Sequence, residues 1–429
     1  MLRRKVKLKK ELGVWSLAIL GITMIIGAGI FVLIGEGVKL AGSGIIISLT
    51  LTALIAFFSA LSYAELSSIF PRASSSYIYV RKSFNSKFLS FLVGWCILWV
   101  FILGTSVIAV AFANYLGLLI PVSFLIPSVV IILVFSLIAL RGIKESARMI
   151  AILGVIEIAT LVVFIIAGLS FGDFSRLGGI SINFSTLSVA GLLFFAFLGF
   201  EGMVTCAEET KHANKIVPKA IILAFIICTI IYILVAIALL LLIPLQEIGT
   251  APIAEGIVQY LGKNFSFLIA IGSLIAIGDG ILVFLISGSR FVYGLSSEGV
   301  FPKVFSRVNE KFRTPHIAIL LVALLSIGFS FFGKNLNLIA NATNFAALFA
   351  FFFVNLSVIM LRIKNPDAER GFKIPLSIKN IPITSLLGAI TAFVLICSLD
   401  FIGLGLGLGL LFIGIICYFL VGRVRFKYI

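Results

Sequence analysis

The chain has 429 residues, 61% of them hydrophobic and only 12% charged, with a mean hydropathy of +1.24. A soluble domain carries about a quarter charged residues, so this composition excludes an ordinary soluble protein and places the chain in a membrane. The net charge of +16 would suggest nucleic acid as a partner of a soluble chain, an implication that the positions of the charges remove.

Long apolar runs bounded by charges or Pro/Gly clusters predict twelve spans, at 14–40, 43–66, 88–118, 122–140, 148–170, 186–207, 218–243, 264–288, 315–332, 337–361, 381–398 and 400–421. The first run follows six basic residues and has no small-residue cleavage site, which predicts a retained helix and a cytoplasmic N-terminus, residues 1–13. With that start, the predicted inside segments hold 29 of the 33 Lys and Arg residues, and only Lys39, Arg176, Lys263 and Lys334 fall outside. A missed or invented span would invert every later loop, so the charge bias supports the count and puts the C-terminus, 422–429, inside as well. No low-complexity linker or appended domain is legible. Function is therefore expected in polar or irregular features at membrane depth, where breaks and charges are tolerated only around a protein-lined site.

In the first span, Ile26-Gly27-Ala28-Gly29-Ile30-Phe31 puts two glycines mid-run. Gly27 lies twelve residues past Trp15, about 18 Å of helix. A helix that unwinds and restarts here would expose the N–H groups of Ala28, Gly29 and Ile30 at the positive end of a half-helix, a site for a carboxylate. Close helix packing is the other use of such small residues. Glu36, near the outer end of this span, reads as a solvated helix end or an outer gate. Glu157 of the fifth span lies nine residues after Arg148, about 14 Å deep. The sixth span repeats the break at Phe194-Phe195-Ala196-Phe197-Leu198-Gly199-Phe200-Glu201, with Glu201 near mid-membrane beside a glycine. Interrupted helices opening each of two five-helix halves point to an inverted-repeat transporter with its substrate at the repeat interface. The halves would be 14–170 and 186–361, with 381–421 added. In the eighth span Gly278-Asp279-Gly280 carries a third acid about 16 Å deep, eleven residues before Arg290.

An ionised carboxylate in apolar surroundings is costly, so each buried acid is expected to be protonated, paired or cation-bound. No Lys or Arg lies at their depth. Asn341, Asn344 and Asn355 of the tenth span read as interhelical hydrogen bonders, with Asn341 or Asn344 able to line a pathway; Asp400 reads as a helix end. His212 and His316 lie at predicted inside edges, too far apart to suggest a metal pair. Cys96, Cys206, Cys228, Cys397 and Cys417 show no CxxC spacing and give no sign of a disulfide framework or zinc site. No metal, organic cofactor or nucleic acid is expected. With no nucleophile–base constellation, an enzyme is not expected either.

These motifs, with Tyr63-Ala64-Glu65-Leu66, Phe70-Pro71-Arg72-Ala73, Glu208-Glu209 ahead of Pro218, Ser289-Arg290, Tyr293-Gly294, Glu298-Gly299-Val300-Phe301-Pro302 and Thr314-Pro315, give a chain that resembles the amino acid–polyamine–organocation superfamily, close to its prokaryotic permeases and cationic amino acid transporter-like members. The resemblance runs over essentially the whole chain. It implies an all-α membrane protein with twelve transmembrane helices, a five-plus-five inverted repeat and discontinuous helices 1 and 6, working as a secondary amino acid transporter in the cell membrane. It also implies a substrate-binding stretch Ile25–Ile26–Gly27–Ala28–Gly29, in which the substrate carboxylate meets the N–H groups of Ala28 and Gly29 and the amino group meets the carbonyl of Ile25. Carbonyls around Phe195, Ala196 and Leu198 complete the amino site, with Phe195 as aromatic lid and Phe197 and Leu198 making the surroundings apolar. Glu201 matches an acid implicated in gating or proton response.

The chain departs from the family in three places. Ser74-Ser75-Ser76 replaces a usual glycine pair. Glu157 stands near the position of a Lys in some proton-coupled members, and Gly278-Asp279-Gly280 replaces hydroxyls near the sodium site. The resulting expectation is proton symport of a neutral L-amino acid, with Glu157 and Asp279 sharing a proton or a monovalent cation. A cationic amino acid or polyamine carrier, or an exchanger, is the alternative. The oligomeric state is not legible.

Overall fold

Hydrocarbon offers no partner to a backbone N–H or C=O, so long apolar runs satisfy themselves as helices. The computed structural model describes residues 8–27, 29–117, 119–178, 184–249, 251–399 and 401–425. They form α1 (Val14–Ile25), α2 (Ile34–Ala41), α3 (Ile45–Ile69), α4 (Ser75–Phe84), α5 (Lys87–Gly117), α6 (Leu125–Leu140), α7 (Ile143–Phe171) and α8 (Phe184–Leu193). Then follow α9 (Phe200–Thr205), α10 (Ala213–Leu242), α11 (Pro252–Ser297), α12 (His316–Ser330), α13 (Leu336–Lys364), α14 (Ile383–Cys397) and α15 (Phe401–Arg425).

Each of the twelve apolar runs falls on helix, and the protein is a helical integral membrane protein. By length and composition, seven stretches can cross a membrane: Ile34–Ile69, taken across the turn at Gly42, and Lys87–Gly117, Ile143–Phe171, Ala213–Leu242, Phe267–Ser297, Leu338–Lys364 and Phe401–Leu420. Five further apolar helices are shorter, Val14–Ile25, Leu125–Leu140, Val189–Thr205, His316–Ser330 and Ile383–Cys397. The first and sixth runs are short because each is interrupted.

Some boundaries differ from the sequence reading. The eighth run begins earlier, at Pro252, whose missing N–H is no loss in a first turn; the helix is broken at Gly262, where φ is +78°. Arg290, assigned to a loop by its charge, lies inside α11. Between the second and third runs the chain forms α4 instead of a plain turn, with Ser74 pressed against Gly294 so closely that a Cβ there would meet its backbone. A two-stranded antiparallel hairpin, β1 (Ser377–Ile378) with β2 (Ile381–Pro382), interrupts the all-helical pattern just before α14. Ala28 and Asp400 lie outside the described residues.

Helices α1, α3, α8, α9 and α10 pack into one group, in which α10 lies along α3 and α1. A second group joins α5, α6, α11 and α12, while α7 bridges the two through α1, α10 and α11. Helix α13 touches α3, α5 and α14. The last two helices leave large apolar side chains such as Phe393, Phe401 and Phe412 exposed, as a surface facing lipid requires.

Candidate functional site

Helix α1 stops at Ile25; Ile26 is extended, with φ −74° and ψ 115°. The chain restarts as a π-type turn over Gly29–Leu33, fastened by Ile30 N–H donating to the Gly27 carbonyl at 3.2 Å, and runs into α2. The sixth run breaks in the same manner. After α8 a 3-10 turn covers Phe194–Phe197, Leu198 is extended at φ −68° and ψ 152°, and Gly199 takes φ +125° before α9. Two glycines mid-run weaken the first helix, and a positive φ that other residues adopt only with strain ends the second.

The two breaks lie directly on each other. A Cβ on Gly29 would run into the Ala196 backbone, and one on Gly199 would lie 2.5 Å from the Met24 carbonyl oxygen. Gly27, by contrast, faces open space. Gly199→Ala, which needs both a left-handed φ and that missing space, should therefore cost about 2 kcal/mol or more of stability. A thermal midpoint equal to wild type in detergent would refute this.

Tyr232, fully buried in mid-α10, donates its hydroxyl toward two acceptors, the Ile25 carbonyl at 2.6 Å and the Ala196 carbonyl at 2.9 Å. One carbonyl belongs to each break, so this side chain fastens them together. Sequence reasoning passed over Tyr232; its depth, thirteen residues past Lys219 or about 20 Å of helix, was the available signal. Of the other candidate residues, Phe195 and Leu198 are buried at the break. The Phe197 ring lies against α10, 5.5 Å from Phe225 and 5.1 Å from Tyr232.

Glu157 and Asp279 are both fully buried, on α7 and α11, helices that pack along each other. The contact is tight, for a Cβ on Gly272 would meet the Thr160 hydroxyl. None of the four carboxyl oxygens makes a hydrogen bond among the described residues. The two acids thus lie on one packed pair of helices, whereas Glu201 belongs to α9. Glu201 folds back on the second break, where its Oε2 accepts the Gly199 N–H at 2.9 Å.

The end of the bundle that carries the N-terminal segment holds two buried ion clusters that local spacing did not reveal. Arg290 clamps Glu209 with Nε at 3.0 Å and Nη2 at 3.2 Å, both side chains fully buried. Residues 11 and 12 donate their N–H groups to the Glu209 carbonyl, which straps the N-terminal segment to the same place. Glu65 of α3 accepts from Arg362 Nε at 2.8 Å, Arg370 Nε at 3.1 Å and Ile374 N–H at 2.8 Å. Beside them, outside the apolar helices, burial pushes the Glu208 carboxyl above its usual range, with the Ala73 N–H pulling the other way.

Asn355 donates to Ser59 across α13 and α3 at 2.9 Å, while the Asn344 side-chain oxygen is buried without a partner among the described residues. Glu36 is half-exposed and pairs with Lys39. His212 and His316 stand at the starts of α10 and α12, and no cluster of three or more His, Cys, Asp or Glu that suits a metal occurs among the described residues.

Comparison with known proteins gives this geometry its context. The chain is similar to the branched-chain amino acid permease BcaP of Bacillus subtilis (strain 168), at 32% identity over 98% of this chain and 94% of that one. It is also similar to the methylthioribose transporter of the same organism, at 30% identity over 89% and 87%, and to cationic amino acid transporter 1 of Arabidopsis thaliana, at 27% over 83% and 63%. The sequence pattern described as Amino acid permease matches residues 12–421, so the chain belongs to the amino acid permease family of membrane transporters and is not an enzyme.

Proposed function

We propose that this protein is a secondary active transporter that carries a neutral L-amino acid across the cell membrane by alternating access, in symport with protons. The observation that carries the reading is the contact between the two helix breaks. Half-helix starts offer N–H groups to a carboxylate and half-helix ends offer carbonyls to an ammonium, so two breaks in contact suit the head group shared by all amino acids. In this reading Ala28 and Gly29 hold the carboxylate and the carbonyls of Ile25 and Ala196 face the amino group, with Ile26, Gly27, Phe195, Phe197 and Leu198 around it. The apolar surroundings favour a neutral side chain, and the similarity to a branched-chain permease points the same way.

The twelve helical runs and the 29-to-4 charge bias support twelve spans with both termini cytoplasmic, arranged as two five-helix repeats plus two. Glu157 and Asp279 supply the proton step. Two buried carboxyls on packed helices, with no cationic partner among the described residues, do not both stay ionised in this reading; one proton or a monovalent cation accompanies them. Glu201, attached to the second break, belongs to gating.

Uptake of radiolabelled L-amino acids into proteoliposomes of the purified protein tests this directly. Accumulation that requires an inward proton gradient is the expected result. Uptake that instead requires preloaded amino acid would make the protein an exchanger, and competition by lysine or a polyamine over leucine would shift the substrate to the cationic class.

A further inference from the structure

A broken helix in a membrane leaves carbonyls with no N–H of their own to accept from. Here two such groups, from Ile25 at the end of α1 and from Ala196 in the turn after α8, converge on one point, and the Tyr232 hydroxyl fills it. The phenol is held there by its surroundings. Its ring stands edge-on to Phe197, and Cys228, one turn earlier on α10, lies with its sulfur 3.9 Å from the Ile22 carbonyl of α1. The negative ends of two half-helices are a place for a cation, yet the donor present is neutral. A hydroxyl has one hydrogen to divide between two acceptors, whereas an ammonium has three and makes stronger, charge-assisted bonds.

We infer that the Tyr232 hydroxyl is a stand-in for the substrate ammonium, occupying the amino-group carbonyls in the empty carrier and yielding them when an amino acid binds. This rests on the reading of the two breaks as the substrate site. The exchange of donors has a consequence for the transport cycle. A symporter must return empty, which means closing the site around carbonyls that no substrate satisfies, and a buried carbonyl without a donor is costly. Tyr232 removes that cost for the empty protein alone. A carrier without the hydroxyl is satisfied only when loaded; it can exchange one amino acid for another but returns empty slowly.

Tyr232→Phe separates these steps, with radiolabelled L-leucine as the probe in proteoliposomes. Binding should tighten about fivefold to a hundredfold, the worth of the bonds that leucine no longer has to displace. Net uptake into vesicles without internal leucine should fall about tenfold, while counterflow into leucine-loaded vesicles continues at a lowered KM. A residue that merely braces the fold would weaken binding and lower net uptake and counterflow together, and that result would overturn the inference. The wild-type protein carrying 3-fluorotyrosine at position 232 keeps the hydroxyl and guards against a variant that fails to fold. Saturating leucine should shift its fluorine resonance, and an unmoved resonance would also overturn the inference. A wild type that binds and transports no leucine defeats the reading of the substrate site itself, whereas normal wild-type transport with an unchanged ratio of net uptake to counterflow in Tyr232→Phe defeats only the stand-in.

Discussion

Glu157→Gln should abolish the part of amino acid accumulation that a proton gradient drives, leaving uptake at the level reached without the gradient, and Asp279→Asn should do the same. The two carboxyls sit on packed helices, fully buried, with none of their oxygens hydrogen-bonded among the described residues. A single neutral amide in place of either acid removes the repulsion that makes the pair take up a proton, so the remaining acid no longer needs one in each turn of the cycle. Because Gln and Asn nearly preserve volume, loss of the fold is not the expected route to this phenotype. Uptake measured against external pH makes the test sharp: the wild type should accumulate more as the outside is acidified, and both variants should show a flat profile. Pronounced acid stimulation surviving in either variant would remove the pair from the coupling mechanism and leave Glu201 as the remaining buried acid on the site.

Glu65→Ala should be the most destabilising single change among those discussed, by about 3–5 kcal/mol, because it leaves two buried guanidinium groups without their carboxylate. Arg362 and Arg370 have side chains only 2% and 5% exposed, and Glu65 is 1% exposed. Arg362 also donates to the Ile374 carbonyl, so the cluster ties α3, α13 and the segment leading to the hairpin into one unit. The exposed pair Lys39–Glu36, at 35% and 49%, is the natural control, since such pairs contribute about 1 kcal/mol or less. Thermal unfolding of purified protein in detergent should show a clear drop in midpoint for Glu65→Ala and almost none for Lys39→Ala. Equal midpoints for the two variants would show that the cluster is loosely solvated in the membrane-embedded protein.

The parts of the site that were legible in the sequence are those written in local chemistry. Gly27 and Gly29 lower helix propensity inside an otherwise apolar run, and Gly199 supplies a backbone angle that ends a helix, so both interruptions were expected where they occur. Glu157 and Asp279 stand out because charge at membrane depth is expensive wherever it appears. Tyr232 does not, because a tyrosine in an apolar run is ordinary until two carbonyls are seen to meet its hydroxyl. Arg290 was misread as a loop charge: the positive-inside pattern records on which side a cation lies and is silent on whether it is solvated or buried against Glu209.

By itself, then, the sequence determined that the chain is a helical membrane protein, where two of its helices break and which acids stand inside apolar runs. Each of these follows from hydrophobic length, backbone freedom or desolvation, properties of a residue and its near neighbours. Only the tertiary structure decided that the two breaks touch, that one phenol bridges their carbonyls, that the helices carrying Glu157 and Asp279 pack along each other, and that Glu65 meets Arg362 across 297 positions of chain. Those pairings depend on how helices with almost uniformly apolar faces pack in three dimensions. Where hydrophobic patterning no longer distinguishes one face from another, small-residue contacts and buried hydrogen bonds select the neighbours.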